Sequence, residues 1–172
     1  MLKPVVWAVT AVGAQRIAEL VHARRNDARL RAAGAVEHGS GHYRTMVALH
    51  VGWLAATAVE GTVAARTSRS HRVERSALAV FVAAQALRYA AIRALGDRWT
   101  TRILVLPDAE PVRTGPYRLV RHPNYVAVAL ELAALPTVFG ARRTAVLATV
   151  ADAALMAVRI PAEDRALGRR RR

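Results

Sequence analysis

Five apolar stretches, each close to the length needed to cross a lipid bilayer, constrain the fold of this chain more than any other feature. A spanning helix needs about 20 mostly apolar residues, and the stretches cover residues 4–22, 43–65, 77–95, 124–139 and 144–160. The segments between them are rich in arginine, and none alternates convincingly as a strand would, so residues 24–42 are predicted to form a polar loop. The sequence therefore predicts an all-α integral membrane bundle of about five transmembrane helices. The fourth stretch is short and contains Pro136, so the last two helices are also compatible with a hairpin that does not fully cross.

Composition and charge narrow the class of protein further. The 172 residues are 53% apolar and carry a net charge of +14, with Lys3 as the only lysine. Such a cationic chain suits either nucleic-acid binding or the cytoplasmic loops of a membrane protein. Aromatic residues make up only 5% and do not interleave with basic ones, so we expect no nucleic-acid partner. The lack of cysteine excludes disulfides and thiol catalysis, and no metal site is predicted.

Polar side chains recur at helical spacing inside the apolar stretches. The second stretch carries six residues three or four apart, on one helical face: Tyr43, Met46, His50, Trp53, Thr57 and Glu60. This face cannot contact lipid, so it either ties the bundle together or lines a substrate cavity, and His50 is either a general base or a satisfied core imidazole. In the third stretch, Arg88 either faces the interior or extends toward the headgroups. In the first, Arg16 and Glu19 can pair.

The strongest functional signal is the run Gly115-Pro116-Tyr117-Arg118-Leu119-Val120-Arg121-His122-Pro123-Asn124-Tyr125. The proline should keep His122 out of the helical region and itself open the fourth helix. A helix N-terminus beside Arg and His side chains attracts carboxylates. Glu131 follows on the same face of the helix, and a buried acid there needs a partner such as Arg88 or Arg16. The alternative is that the run is a surface turn followed by a core helix with one satisfied acid.

The same run and the later Arg159-Ile160-x-x-Glu163-Asp164-x-x-Leu167 resemble the isoprenylcysteine carboxyl methyltransferase family of integral membrane enzymes. The N-terminal half resembles a small bacterial branch that methylates alkylpyrones and alkylresorcinols, the phenolic lipids made by type III polyketide synthases. The matching phrases are Gln15-Arg16-x-x-Glu19-Leu20, Arg25-Asn26, Gly34-Ala35-Val36-Glu37-His38-Gly39, His42-Tyr43 and Arg98-Trp99-Thr100-Thr101-Arg102-Ile103-Leu104-Val105-Leu106-Pro107.

The resemblance implies a single methyltransferase domain over residues 1–172, with the cofactor-binding part at about residues 96–172. It implies S-adenosylmethionine as cofactor, a lipophilic acceptor that arrives through membrane lipid, and a polyketide synthase that supplies it. The implied cofactor contacts are Pro111, Val112, Tyr117, His122, Pro123, Asn124, Tyr125 and Glu163. His122 would face the methionine carboxylate and Glu163 the ammonium group. Arg159, at i,i+4 from Glu163 and able to pair with it, would contact the acceptor, and the catalytic candidates are Arg159, His50 and Glu131.

Three departures from the family pattern are Ala109, where many members have His, Ala127, where a Gly is usual, and the acid pair of the last motif, which is Glu163-Asp164. A phenol needs a base or a cation more than a carboxylate does, and His50, Tyr43, Glu60 and Arg88 offer such groups. The alternatives are methylation of an isoprenylcysteine carboxylate, or a non-enzymatic basic protein that binds membranes or nucleic acid.

Arginine placement predicts that the protein lies in the cell membrane with its N-terminus outside and its cofactor site facing the cytoplasm. The segments placed on the cytoplasmic side carry more cations than those placed outside. These cations are Arg24, Arg25, Arg29, Arg31, Arg98, Arg102, Arg113, Arg118, Arg121, Arg165 and the four arginines at 169–172.

Overall fold

Five helices form most of the protein in the computed structural model, which describes residues 2–67, 74–107 and 109–168. They are α1 (Leu2–Ala32), α2 (Tyr43–Thr67), α3 (Arg75–Leu95), α4 (Pro123–Val138) and α5 (Arg142–Ala166). The predicted all-α membrane bundle is therefore confirmed. A two-stranded antiparallel ribbon was not predicted: β1 (Val36–His38) pairs with β2 (Ile103–Val105) through strands of only three residues, too short to show alternation. The arginines at 169–172 lie outside the described residues.

Three of the helical segments are long and apolar enough to cross a membrane: Ser40–Thr67, Arg75–Arg98 and Arg142–Ala166. The other two helices, α1 and α4, do not meet this criterion of length and apolar character. Near its middle α1 carries Arg16 and Glu19, whereas α4 has 16 residues and rises only about 24 Å, less than the roughly 30 Å of the hydrocarbon core. The short fourth helix anticipated from the sequence is thus observed.

The outward faces of the longer helices are apolar. Large exposed hydrophobic side chains recur along them, including Trp7, Ile17, Val51, Val59, Val82, Leu147 and Val150. A soluble monomer rarely exposes so much continuous apolar surface, whereas lipid tails accept it without cost. The protein is a membrane protein on this ground as well as on helix length.

The most buried element is α4, which packs mainly against α3 and α5. Nine of its residues are buried, and Leu132, Leu135 and Val138 form a core with Val5 and Trp53. Gly140, at φ +74°, then reverses the chain into α5, a conformation that other residues adopt only with strain. The short α4 is therefore held by protein on most sides rather than by lipid.

The arginine-rich segment after the first apolar stretch is helical, so the prediction of a polar loop from residue 24 was wrong. No glycine or proline occurs between residues 14 and 33, and arginine is a good helix former when its head is solvated. The helix α1 stops near Gly34, which has φ +87°. Its extra turns bring the buried Asn26 beside the segment that follows α3.

Candidate active site

A cavity of about 530 Å³ opens among α1, α2, α3 and α5 and the segment between β2 and α4. Nine of the eleven predicted site residues line it. The two others lie just behind its wall: Pro123 is the buried first residue of α4, and Glu131 is buried against Arg16. Residues from opposite ends of the sequence, predicted separately as cofactor and acceptor contacts, therefore face one continuous space.

The first residues of α4 lie at the wall of this cavity. As predicted, His122 stands outside the helix at φ −128° and ψ 63°, and Pro123 is the first helical residue. No side chain of the described residues caps this terminus. Pro123 has no N–H, and those of Tyr125 and Val126 donate to the carbonyl oxygen of His122, so the N–H of Asn124 is the one open to a ligand. Asn124 also lines the cavity, and its buried Oδ1 has no hydrogen-bond partner among the described residues. Hydrogen-bonding groups without a protein partner thus lie at the start of α4, where a polar ligand was predicted.

The hydroxyl group of Tyr125 connects the two residues assigned to the ammonium group and to the acceptor. It donates to Glu163, and it accepts a hydrogen bond of 3.0 Å from Nε of Arg159. Nη2 of Arg159 also donates to the carbonyl oxygen of Thr101 at 2.8 Å. The expected direct pair between Arg159 and Glu163 does not form, because the phenol of Tyr125 occupies the place between them.

The ring of His122 lies between two carboxylates. Nε2 is 3.1 Å from Oδ1 of Asp164, and Nδ1 is 3.7 Å from Oε2 of Glu163. The ring also stacks on Tyr125, with centroids 5.4 Å apart. Asp164 had no role in the sequence interpretation beyond being the second acid of the last motif. Here it orients His122, so the site has two acids facing one imidazole.

The predicted adenosine contacts form another part of the cavity wall. Pro111, Val112 and Tyr117 all line it, together with Ala109 at the position where the family pattern usually has His. Burial, and secondarily the negative charge of Glu163, raises the pKa of the Tyr117 phenol above its usual range. Tyr117 therefore stays neutral and offers a hydroxyl donor at physiological pH.

A buried network of four charges forms the wall between α1 and α3. Glu19 receives three hydrogen bonds from Arg88, at 2.6, 3.0 and 3.1 Å, and one from Arg16 at 2.7 Å. Arg16 also donates to Glu131, and Arg88 comes within 3.8 Å of the same carboxylate. The two positive and two negative charges of the network thus balance. Arg16 and Arg88, the predicted partners of Glu131, are confirmed. Arg88 is buried rather than extended to the headgroups.

The polar stripe of α2 performs both of the roles that its spacing allowed. Tyr43, Met46 and His50 line the cavity. Further along, Glu60 accepts hydrogen bonds from the backbone N–H groups of Arg143 and Thr144, at 3.1 and 2.8 Å, and so caps α5. Glu60 is therefore a structural group and was wrongly grouped with those available to the acceptor.

His50 presents a defined face to the cavity. Its Nδ1 is 2.9 Å from the carbonyl oxygen of Met46. A carbonyl can only accept, so Nδ1 carries the proton, and in the neutral ring Nε2 keeps its lone pair. The backbone contact therefore leaves His50 with the nitrogen that a general base uses.

The segment with β2 covers one end of the cavity and is tied to the N-terminal half. Asn26 donates to the carbonyl oxygen of Trp99 at 2.8 Å, and Arg102 donates to Glu37 at 2.6 Å. The guanidinium group of Arg102 also lies 4.0 Å above the ring of Tyr43. Burial alone would raise the pKa of Glu37, but hydrogen bonds from arginines outweigh it and hold this pKa below its usual range. Asn26 and Glu37 belong to the N-terminal sequence matches described above. These matches therefore include residues that fix the β2 segment at the end of the cavity.

One polar residue of the cavity was missed by the sequence reasoning. Asp152 of α5 is buried and lines the cavity. It is a single acid inside an apolar stretch, the same signal that drew attention to Glu131, so the pattern could have identified it.

The fold and the cavity define a class: a membrane-embedded helical protein whose polar site opens beside a lipid-facing bundle. Comparisons with known proteins agree with this class. Residues 77–169, more than half of the chain, match the isoprenylcysteine carboxyl methyltransferase (ICMT) family. The protein belongs to this family, and it is accordingly a membrane methyltransferase. Methyltransferases of the family generally use S-adenosylmethionine.

Two curated relatives cover nearly the whole chain. It is 37% identical to the uncharacterized protein YpbQ of Bacillus subtilis over 153 residues, which are 89% of this chain and 90% of the relative. It is 28% identical to an uncharacterized protein of Haemophilus influenzae over 144 residues, 83% of each. No solved structure matches significantly. Neither relative's description names a substrate.

Proposed function

We propose that the protein is an S-adenosylmethionine-dependent O-methyltransferase that acts on a hydroxyl group of a lipophilic acceptor, of the alkylpyrone or alkylresorcinol type. The observation that carries the proposal is the single cavity that joins the His122–Tyr125–Glu163 cluster to His50. The cluster offers polar groups that can bind a zwitterion, and His50 offers a base among apolar side chains. A methyl transfer needs these two halves brought together, because positioning supplies much of the rate.

The polar end fits the amino-acid part of the cofactor. The uncapped N-terminus of α4 suits a carboxylate, and the unpaired Oδ1 of Asn124 suits an ammonium donor. Glu163 and Asp164 place two acids beside this terminus, which favours the cationic groups of the cofactor. The chemistry of these donors thus matches a ligand with one carboxylate and two positive centres.

The other end fits a long-chain acceptor. Its walls include the partly buried Leu20, Met46 and Leu54, so an alkyl chain would be buried on entering. Several neighbouring side chains on the same helices are exposed on the lipid side, which supports lateral entry from the bilayer. A polyketide synthase would be the source of such an acceptor.

His50 is the proposed general base, and Arg159 the residue that stabilises the acceptor oxygen. When bound, S-adenosylmethionine would supply an electrophilic methyl group with a neutral thioether as its leaving group. The acceptor oxygen provides the electron pair of the new O–CH3 bond, and its proton passes to Nε2 of His50. The hydrogen bonds of Arg159 to Tyr125 and Thr101 hold its guanidinium group at the cavity wall.

The arrangement in the membrane is part of the proposal. The ribbon of β1 and β2 brings the arginine-rich last turns of α1 and the segment before α4, which also carries several arginines, to the same end of the bundle. This supports a cytoplasmic cofactor site, on the side where the cofactor is made.

Methyl transfer by membranes that contain the protein tests the proposal. Methyl-labelled S-adenosylmethionine is supplied with an alkylresorcinol, an alkylpyrone or an S-farnesyl cysteine analogue, and the labelled lipid is identified. We expect label in the phenolic or enolic lipid. His50→Ala should slow transfer by about 10²- to 10⁴-fold, the usual contribution of a general base, with cofactor binding intact. His38→Ala, on β1 outside the cavity, is the control. Label only in the cysteine analogue, or full activity of His50→Ala, would reject the assignment.

A further inference from the structure

Asp152 is a buried acid that the proposed reaction does not use. Its exposed fraction is 1%, it lines the cavity, and its Oδ1 has no hydrogen-bond partner among the described residues. The other acids around the cavity differ: Glu19 and Glu131 bind arginines, Glu163 accepts from Tyr125, and Glu110 is exposed to solvent. Asp152 therefore stands apart as an acid without a protein partner at the cavity wall.

Burial of an unpaired carboxyl group is expensive, so its presence calls for a ligand group that meets it. Asp152 precedes Arg159 by seven residues on α5, which places both on one face, about 10 Å apart along the helix axis. Met156 lies between them and also lines the cavity. The carboxyl group thus faces the acceptor's space, two turns away from the residue proposed to hold the reacting oxygen.

The chemistry of a carboxylate selects the group that it can bind. A carboxylate accepts hydrogen bonds and repels other anions, so it suits a hydroxyl donor and not a second carboxylate. The hydroxyl group that is methylated loses its proton to His50 in the proposed reaction. A group that binds Asp152 throughout the reaction must then be a different hydroxyl on the same acceptor.

We propose that Asp152 accepts a hydrogen bond from a second hydroxyl group of the acceptor, and so selects a dihydroxylated aromatic lipid over one with a single hydroxyl. This inference rests on the proposed function, since it assumes a hydroxyl acceptor in the same cavity. It narrows that proposal, because an alkylresorcinol has a second donor and an alkylpyrone with one enolic hydroxyl has none. It also disfavours an isoprenylcysteine carboxylate.

The test compares two acceptors that differ only in the second hydroxyl: a 5-alkylresorcinol and the 3-alkylphenol with the same chain. Values of kcat/KM are measured for the wild type, Asp152→Ala and Asp152→Asn. We expect the wild type to prefer the resorcinol, and Asp152→Ala to lose about ten- to a hundredfold with the resorcinol, as for a charge-assisted hydrogen bond. With the alkylphenol this variant should lose nothing. Asp152→Asn, which keeps a neutral acceptor, should be intermediate.

The control is Thr149→Val on the same helix. The Thr149 hydroxyl is likewise buried and unpaired among the described residues, but it does not line the cavity. It should leave the preference between the two acceptors unchanged. An equal loss for both acceptors in Asp152→Ala would overturn the inference, because a base or a structural group would act on both. A wild type that methylates an alkylpyrone but neither phenol would overturn the inference alone. A wild type that methylates none of these hydroxyl acceptors would instead refute the proposed function, so the two failures are distinguishable.

Discussion

The buried charge network predicts a large and specific penalty for neutralising Glu131. Its side chain is only 2% exposed and binds Arg16, with Arg88 at 3.8 Å. In the native protein two arginines face two glutamates. Glu131→Gln keeps the size of the side chain but leaves Arg16 and Arg88 with only Glu19 to balance them, all three side chains being at most 14% exposed.

The magnitude follows from the cost of an uncompensated buried charge. Removing one partner of a buried ion pair usually costs about 3–5 kcal/mol. For a chain of this length each kcal/mol corresponds to about 2–4 °C, so the melting temperature should fall by roughly 6–20 °C. Glu131→Asp keeps the charge and should lose less.

Thermal unfolding in detergent measures this effect against two controls. Asp97→Asn removes an ion pair with Arg29 in which both side chains are mostly exposed, and it should change stability by less than about 1 kcal/mol. The double variant Arg16→Met/Glu131→Leu removes one charge of each sign and leaves Arg88 bound to Glu19. It should be more stable than Glu131→Gln, because no charge is left without a partner.

Two outcomes would refute the reasoning. One is a Glu131→Gln variant that melts and methylates like the wild type. The other is a double variant that loses the sum of the two single losses, since independent effects would mean that the two residues are not coupled.

Three further predictions concern orientation, the acceptor and pH. Single cysteines at Ser40 and Thr114 should resist an impermeant reagent applied to intact cells, and labelling of either would reverse the assigned orientation. Arg159→Ala should lower turnover about ten- to a hundredfold while keeping cofactor affinity, and a loss confined to cofactor affinity would contradict its role. Because the pKa of Glu37 is lowered from 4.5, its pairing with Arg31 and Arg102 contributes stability that is present above this value and lost as pH falls through the lower one. The difference in melting temperature between the wild type and Glu37→Gln should therefore be constant between about pH 8 and pH 5 and vanish in more acidic solution; a decline that begins near neutral pH would contradict it.

The helical spacing of polar and apolar residues predicted much of the fold. A helix in a bilayer must turn its polar side chains toward other protein, so this spacing indicates which face is inward. The stripe from Tyr43 to Glu60 was placed correctly on one inward face, since helical spacing determines which side chains share a side. The same logic identified Glu131 and its partners. It failed for residues 24–32, where solvated arginines look like loop composition although nothing interrupts the helix.

The site was less predictable because its contacts are long-range. Motifs indicated which residues belong together, but the bond of Tyr125 to both Glu163 and Arg159 depends on how α4 meets α5. The capping of α5 by Glu60 likewise joins positions more than 80 residues apart. Spacing within one helix carries no information on such contacts.

Calorimetric binding of S-adenosylmethionine to the detergent-solubilised protein tests the central claim most directly. The account predicts that the wild type binds the cofactor. Glu163→Gln and His122→Ala, each of which disrupts the acid and imidazole cluster at the start of α4, should bind about ten- to a hundredfold more weakly at unchanged melting temperature. His38→Ala should bind normally. A wild type without measurable affinity, or folded variants that bind the cofactor as tightly as the wild type does, would contradict the account.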